Sequence, residues 1–209
     1  MSHQSIYNAL IKAGMTREGA CALMGNMQAE SRIKSTIVQI GATKLSDSQY
    51  TSAADNGLID FVHDEVGYGL CQWTHYERKG RLLDYAKKCG VSVGDEAMQV
   101  NFAINELLNF YPKVFDLLCS SNDLFYLTQI VCTDYEQPKY NNVNERYTYA
   151  QSFMQSEEYA PPVKIDTTIL VIQSLMAGDG YWDPERITGE RSVLFKKKLR
   201  EWADDIISM

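Results

Sequence analysis

The stretch GNMQAES, residues 25–31, decides how the chain is organised, because it places a carboxylic acid on the apolar side of a predicted helix. The apolar residues before it recur at the i, i+3, i+4 and i+7 spacing of a helix face that packs against a core: Ala20, Leu23, Met24 and Met27. Glu30 follows Met27 at the same spacing and therefore continues the buried face.

A glutamate in this position is expected to have a raised pKa. Burial disfavours the charged carboxylate, and the negative end of the helix dipole disfavours it further. A carboxylic acid that keeps its proton near neutral pH can act as a general acid. The alternative is a partly buried, hydrogen-bonded glutamate without a chemical role. Glu30 is therefore a candidate catalytic residue whose role depends on what surrounds it.

The segments around this stretch also follow helical patterns. Residues 5–13 show helical apolar spacing, and Gly14 is placed to end that helix. Thr16 is suited to cap the helix that carries Glu30. Gly19 and Gly25 each cost that helix about 1 kcal/mol relative to Ala. Glycines inside a helix indicate close backbone packing or a nearby ligand.

An irregular, polar segment follows, and then a turn rich in glycine and aromatic residues. Residues 41–57 are predicted to form a loop with at most short strands. The turn GYGLCQWT, residues 67–74, offers two flat aromatic faces and the amide of Gln72. The alternative is a tight turn whose Leu70 and Trp73 belong to the core. Long irregular segments inside a domain are often functional.

The remainder of the chain is predicted to form helices and a linker. Helices are predicted over residues 77–89, 95–108, 123–132 and 144–154, with a break at Tyr111-Pro112 and a short apolar piece at 114–118. The run Ala160-Pro161-Pro162 is typical of a stiff linker. It predicts a main domain at residues 1–160 and a helical C-terminal segment at 161–209.

Composition excludes several classes of function. The net charge of the 209 residues is −7 and no basic stripe is present, which disfavours nucleic-acid partners. No apolar run is long enough to insert into a membrane, and residues 1–11 lack a signal-peptide pattern. The five cysteines form no C-x-x-C pair, and His63 and His75 form no metal motif, so neither a metal site nor a cofactor is predicted. An odd number of separated cysteines is typical of a reducing compartment without structural disulfides.

Taken together, these motifs resemble the phage-tail lysozyme family, whose members cleave cell walls and are distantly related to goose-type lysozymes and lytic transglycosylases. The resemblance covers roughly residues 3–158. It is carried by the two stretches at 25–31 and 67–73, by Glu77-Arg78-Lys79, by Gln99, and by Tyr135-Glu136-Gln137-Pro138 followed by Glu145-Arg146. It implies a mostly α, lysozyme-like (α+β) domain with a small β or loop region at the cleft.

The resemblance also implies a function and a set of site residues. Glu30 would be the catalytic acid that cleaves the β-1,4 bond between MurNAc and GlcNAc in peptidoglycan, in a phage endolysin or a tail-associated lysozyme. The residues that would bind the sugar are Ser31, Tyr68, Gln72, Trp73 and Tyr135. The alternatives are a lytic transglycosylase that forms a 1,6-anhydro product, and a non-catalytic wall-binding or tail structural protein that retains the cleft.

Glycoside hydrolysis generally needs a second carboxylate. It attacks the sugar when the two groups are about 5 Å apart, or activates water at about 6.5–9.5 Å. Asp64 is the first candidate, since it lies shortly before the turn at 67–74, and Asp55 and Asp60 come next. A transglycosylase would need none of them, because the muramyl 6-hydroxyl closes the ring.

The expected partners follow from this reading: bacterial peptidoglycan, with phage tail proteins as a further partner class. The protein would be made in the host cytoplasm without a signal peptide, and would reach the wall through holin release or in a virion tail. Residues 161–209 faintly resemble a small helical peptidoglycan-binding repeat. A helical hairpin that docks on the main domain, or an assembly contact, explains the same pattern.

Overall fold

A computed structural model describes residues 3–156 and Tyr159. These residues form helices α1 (His3–Lys12), α2 (Arg17–Ser31), α3 (Asp47–Asp55), α4 (Tyr76–Cys89), α5 (Glu96–Phe110), α6 (Pro112–Ser120), α7 (Leu124–Ile130), the π-helix Val131–Glu136, and α8 (Val143–Gln155). The predicted mostly α fold is confirmed. The predicted C-terminal appendage at 161–209 lies outside the described residues.

The segment around α3 differs from the sequence prediction. Residues 41–57 were expected to form a loop, but Asp47–Asp55 is a helix. Ser46 accepts a hydrogen bond from the Gln49 backbone, and the Gln49 side chain accepts one from the Ser46 backbone. This capping box stabilises the start of a helix that has little apolar periodicity. In the described residues, β structure is limited to isolated bridges that join Tyr68 to Val38 and Trp73.

Helix α2 lies at the centre of the domain. It packs most extensively against α8, and also contacts α7, α1 and α6. A run of consecutive residues, from Gly19 to Met27, is buried around the whole helix circumference. A helix that is buried on all sides must be covered by several neighbours. The helix α2 is partly accessible at its two ends, and Glu30 lies in the accessible part near the C-terminus.

The glycines of α2 allow its neighbours to come close, as the sequence predicted. A Cβ at Gly19 would overlap the carbonyl oxygen of Leu118. A Cβ at Gly25 would lie 2.7 Å from the carbonyl oxygen of Arg146 and 2.8 Å from the Cβ of Ala150. Thr16 caps α2 by accepting from the Gly19 backbone at 3.0 Å. The backbones of α2 and α8 therefore meet directly at Gly25.

The helix that begins after Asp123 extends further than predicted and changes its winding. It is α-helical through Ile130 and then π-helical from Val131 to Glu136. The sequence had predicted that this helix ends at Cys132. It ends at Gln137, whose φ of 51° is left-handed. π-Helical turns inside helices are rare and frequent at functional sites. Here the turn carries the side chains of Tyr135 and Glu136.

None of the helices in the described part of the chain is long and apolar enough to cross a membrane.

The close contact at Gly25 gives a matched pair of tests. Gly25→Ala should lower the free energy of unfolding by about 1–3 kcal/mol, because overpacking against α8 outweighs the gain in helix propensity. Gly80→Ala in α4, where the nearest atom to an added Cβ is Val62 Cγ1 at 3.7 Å, should instead stabilise the protein by up to about 1 kcal/mol. Urea denaturation measures both. Equal stabilisation by the two substitutions would show that α2 and α8 are not tightly packed.

Candidate active site

Arg146 of α8 joins the two polar residues of the stretch at 25–31. Its Nη1 donates to the Asn26 side-chain oxygen at 3.0 Å, and its Nη2 forms an ion pair with Glu30. Asn26 is itself oriented by donating to the Ala22 and Thr128 carbonyls at 2.9 and 3.2 Å. Asn26 and Glu30 lie one helical turn apart on the same face of α2. Gly25 brings α8 close enough for this contact.

The turn at 67–74 is attached to the end of α2 and to α5. Ser31 donates through its hydroxyl to the Leu70 carbonyl at 2.9 Å, and the Gln99 side chain accepts from the Leu70 backbone at 2.9 Å. A Cβ at Gly69, whose φ is 76°, would lie 2.5 Å from the Gln99 amide oxygen. The glycine is therefore required both by the backbone and by the Gln99 contact. The turn and Glu30 are held in a fixed relation to each other.

Behind the turn, the buried carboxylate of Glu106 gathers four side chains. Trp73 Nε1 donates to it at 3.0 Å, the Tyr135 hydroxyl at 3.1 Å, and Arg78 Nη2 at 2.7 Å. Arg81 adds a contact at 3.3 Å. Both Trp73 and Tyr135 are completely buried. This network connects α4, α5, the turn and the π-helix beneath one surface.

The charge of Glu106 is maintained by these donors. Burial alone raises the pKa of this carboxyl group, but the bonds from Arg78, Trp73 and Tyr135 outweigh it, so that the pKa is lowered. A buried charge is tolerated only when it is paired and hydrogen-bonded in this way. Glu106 therefore acts as a structural anion under the cleft.

The surface above this network is a cleft with a volume of about 770 Å³. Its walls come from the end of α2, the loops before α4, the first turns of α4, and the segment around the end of the π-helix. The lining residues that matter for the argument are Glu30, Gln72, Arg78, Tyr111, Glu136 and Lys139. Its size and its mixture of aromatic and charged groups suit a polar ligand.

The residues that the sequence predicted for the site divide into two groups. Glu30 and Gln72 line the cleft. The other predicted sugar-binding residues are buried behind it, namely Ser31, Tyr68, Trp73 and Tyr135. Tyr68 bonds to Thr51 at 2.7 Å, and the remaining three have the partners described above. In this conformation they shape the cleft wall, and their predicted contact with a sugar would require them to become exposed.

Asp64, the first candidate for a second carboxylate, is not among the described residues that line the cleft. It pairs with Lys79 Nζ, accepts from the Tyr50 hydroxyl at 2.5 Å, and accepts from the Val66 backbone at 3.0 Å. Lys79 is completely buried, so Asp64 neutralises an internal cation. The geometry favours a structural role over that of a second catalytic carboxylate.

Asp55 and Asp60 have structural partners as well. Asp55 accepts from the Val93 backbone at 2.8 Å and from the Ser92 hydroxyl at 2.6 Å. Asp60 is exposed and bonds to His63 at 3.0 Å. These contacts fix the loops before and after α4, and neither aspartate is among the described residues that line the cleft.

Sequence reasoning missed several cleft residues, among them Tyr111 and Glu136. Tyr111 precedes Pro112 and was treated only as part of a helix break. Its partly exposed ring packs edge-on against Tyr135 at 5.1 Å and supplies an aromatic surface within the cleft. Glu136 lay inside a quoted motif, in which only its neighbour Tyr135 was selected. The π-helical winding that points Glu136 to the cleft leaves no periodic signal in the sequence.

Thiol and metal chemistry receive no support from the geometry. Burial raises the pKa of Cys71 well above its ordinary value, which disfavours the reactive thiolate. His63 stacks on Tyr76 at 6.1 Å, and His75 packs against the same ring at 4.6 Å. Across residues 3–156, no cluster of His, Cys, Asp and Glu has the arrangement of a metal site.

Comparison with known proteins identifies the family to which the chain belongs. Residues 2–156 match the phage tail lysozyme family, and the chain belongs to this family. Among its relatives, Morphogenesis protein 1 of Bacillus phage B103 is 26% identical over 155 residues. The alignment covers 71% of this chain and 37% of that protein, so the chain spans little more than a third of its relative's length.

The network under the cleft predicts a defined loss of stability. Glu106→Gln should lower the free energy of unfolding by about 3–5 kcal/mol at pH 7, because Arg78 loses its buried counter-ion. Since the pKa of folded Glu106 lies below the ordinary 4.5, its contribution is complete above pH 4.5 and is lost as the pH falls further. The free energies of unfolding of wild type and Glu106→Gln, measured by urea denaturation, should therefore converge in acid.

Asp84→Asn, which removes an exposed acid from α4, is the control for this experiment. It should change the free energy of unfolding by less than about 0.5 kcal/mol. A Glu106→Gln protein as stable as this control would show that the network does not support the cleft.

Proposed function

We propose that the domain cleaves the glycan strand of peptidoglycan at the β-1,4 bond between MurNAc and GlcNAc, with Glu30 as the general acid. The observation that carries this proposal is the position of Glu30, whose side chain is 16% exposed and borders the cleft in the last turn of the central helix. A carboxyl group must reach the glycosidic oxygen in order to protonate it. Family membership supports the same chemistry.

Basic groups within the cleft support a wall substrate. The protein as a whole has a net charge of −7, so it has no long-range attraction to an anionic wall. Yet Lys139 lines the cleft, together with Arg78 and Arg81, whose guanidinium groups also contact Glu106. Lys139 can bind the carboxylates of the peptide stems over a short range. Recognition is therefore local to the cleft.

The ion pair with Arg146 sets a condition on the general-acid role. The Arg146 guanidinium occupies one oxygen of the Glu30 carboxyl group. Glu30 must hold a proton before it can donate one to the leaving oxygen. Donation by Glu30 therefore requires a proton source that can reach it within the cleft.

Two outcomes of bond cleavage fit the same cleft. Water can attack the sugar cation and give a reducing end, which is hydrolysis. Alternatively, the muramyl 6-hydroxyl can close a 1,6-anhydro ring, as in a lytic transglycosylase. We propose hydrolysis, because the cleft offers a second carboxyl group, Glu136, that can activate water.

The biological setting belongs to the same proposal. The matching family is one of phage tail lysozymes, and the relative from Bacillus phage B103 is named a morphogenesis protein. We propose that this chain acts on the bacterial wall as part of a phage, either as a tail-associated lysozyme or as an endolysin. Phage tail proteins would be its partners in the first case.

The function is tested by clearing of purified cell walls. Glu30→Gln should reduce the rate at least about 100-fold, because Gln cannot donate an acid proton, while binding to walls is retained. Asp64→Asn is the matched control, since it also removes a carboxylate from an ion pair with a buried cation. It should lower thermal stability but keep most of the rate per folded molecule.

Equal clearing by wild type and Glu30→Gln would exclude Glu30 as the acid. Binding to walls without any clearing by the wild type would instead favour a non-catalytic wall-binding protein.

A further inference from the structure

A second carboxyl group lies in the cleft that contains Glu30. Glu136 is the last residue of the π-helix, and the chain turns at Gln137 with a left-handed φ of 51° directly after it. This winding leaves Tyr135 buried in the Glu106 network and places Glu136 in the cleft lining. The π-helix also packs against α2, which carries Glu30 in its last turn. The fold therefore brings these two glutamates to one cavity.

The carboxyl group of Glu136 is unusual in its bonding. Its Oε1 atom is buried and has no hydrogen-bond partner within the described part of the chain. A buried acceptor without a donor costs about 1–3 kcal/mol, so native proteins rarely retain one without a reason. The two structural acids of the same domain, Glu106 and Asp64, each have several donors. Glu136 therefore differs from these two structural anions, because one of its carboxyl oxygens has no donor among the described residues.

The groups around Glu136 favour its protonated form. Burial raises its pKa to about 8. The negative charge of Glu30 adds to this effect, while Arg78, Arg146 and the Cys71 thiol oppose it. The titratable groups that face it belong to α2, α4, α8, the turn at 67–74 and the π-helix itself: Glu30, Arg78, Arg146, Cys71, Cys132 and Tyr135. At neutral pH the free protein therefore keeps Glu136 protonated.

Glu30 and Glu136, two of the glutamates that line the cleft, have different environments. Glu30 forms an ion pair with Arg146, whereas burial and the nearby Glu30 raise the pKa of Glu136. Pairs of carboxyl groups with such different surroundings divide acid and base roles between them.

We propose that Glu136 is the second carboxyl group of the cleavage reaction: it supplies the proton that Glu30 donates, and then accepts the proton of the attacking water. This inference rests on the proposed glycan cleavage. It replaces Asp64, Asp55 and Asp60 as the partner of Glu30, because Glu136 lines the same cleft and those aspartates have structural partners.

The proton balance closes over one cycle. The proton of Glu136 passes to the Glu30 carboxylate, and Glu30 transfers it to the glycosidic oxygen as the bond to the sugar carbon breaks. The electron pair of that bond leaves with the GlcNAc oxygen. Water then attacks the sugar cation and gives up a proton to the Glu136 carboxylate. Both glutamates return to their starting forms, and one water is consumed.

The test compares three variants in wall clearing between pH 6 and 9.5. The wild-type rate should fall above about pH 8, where Glu136 loses its proton. Glu136→Gln should reduce the rate about 100-fold at pH 6.5, abolish this decline, and leave wall binding unchanged. Glu136→Asp should retain part of the rate and part of the pH dependence. Asp134→Asn, an exposed acid in the same π-helix, should behave like wild type.

Stability provides the readout that separates a catalytic role from a structural one. Because the folded pKa of Glu136 is above its ordinary 4.5, its contribution to stability is complete below pH 4.5 and is lost as the pH rises to about 8. Glu136→Gln removes this ionisation and should flatten the decline in melting temperature between pH 5 and 8. A catalytic group is indicated when this variant is at least as stable as wild type at pH 8 but far less active.

Several outcomes would overturn the inference. One is a Glu136→Gln protein with the rate and pH profile of wild type while Glu30→Gln is inactive; this result leaves the proposed function intact. Inactivity of the wild type on all walls would instead remove the proposed function itself. If Glu136→Gln does not fold, carboxyl ¹³C NMR of the wild type decides, and a Glu136 that titrates near 4.5 contradicts the inference.

Discussion

The contact between Arg146 and Glu30 is the interaction on which the site depends. It joins α8 to the end of α2, and it requires Gly25 for the approach of the helices and Asn26 for the orientation of the guanidinium. It also holds in place the carboxyl group at the centre of the proposed chemistry. Structure and reactivity are therefore coupled at one arginine, because the contact that joins the two helices also positions Glu30 at the cleft.

The cleft is built in two layers with different tasks. The buried layer consists of Trp73, Tyr135 and Arg78 around Glu106, and its polar atoms are satisfied by one another. The outer layer contains Glu30, Glu136, Gln72 and Tyr111, which are partly accessible and line the cleft. A satisfied polar network gives rigidity, and a rigid wall can hold a carboxyl group such as Glu136 with an unpaired oxygen.

Apolar spacing and glycine placement predicted α2, its Thr16 cap and its close packing, since these depend on local sequence. The same reasoning placed α3 in a loop, because a capping box at Ser46 stabilises a helix without a strong apolar pattern. The family resemblance predicted Tyr68, Trp73 and Tyr135 as sugar-binding groups. It could not show that their polar atoms bond inward to Thr51 and Glu106, because those partners lie far away in the sequence. Glu136 was missed for a related reason: the π-helix that turns it to the cleft follows from tertiary packing.

The central claim is that this cleft breaks glycosidic bonds, and analysis of the products by mass spectrometry tests it most directly. Purified peptidoglycan treated with the protein should release fragments that end in a reducing MurNAc, one water heavier than the corresponding 1,6-anhydro species. Products with the anhydro end would retain glycan cleavage but exclude the proposed attack by water. Fragments cut only in their peptide stems, or no soluble fragments at all, would contradict the account.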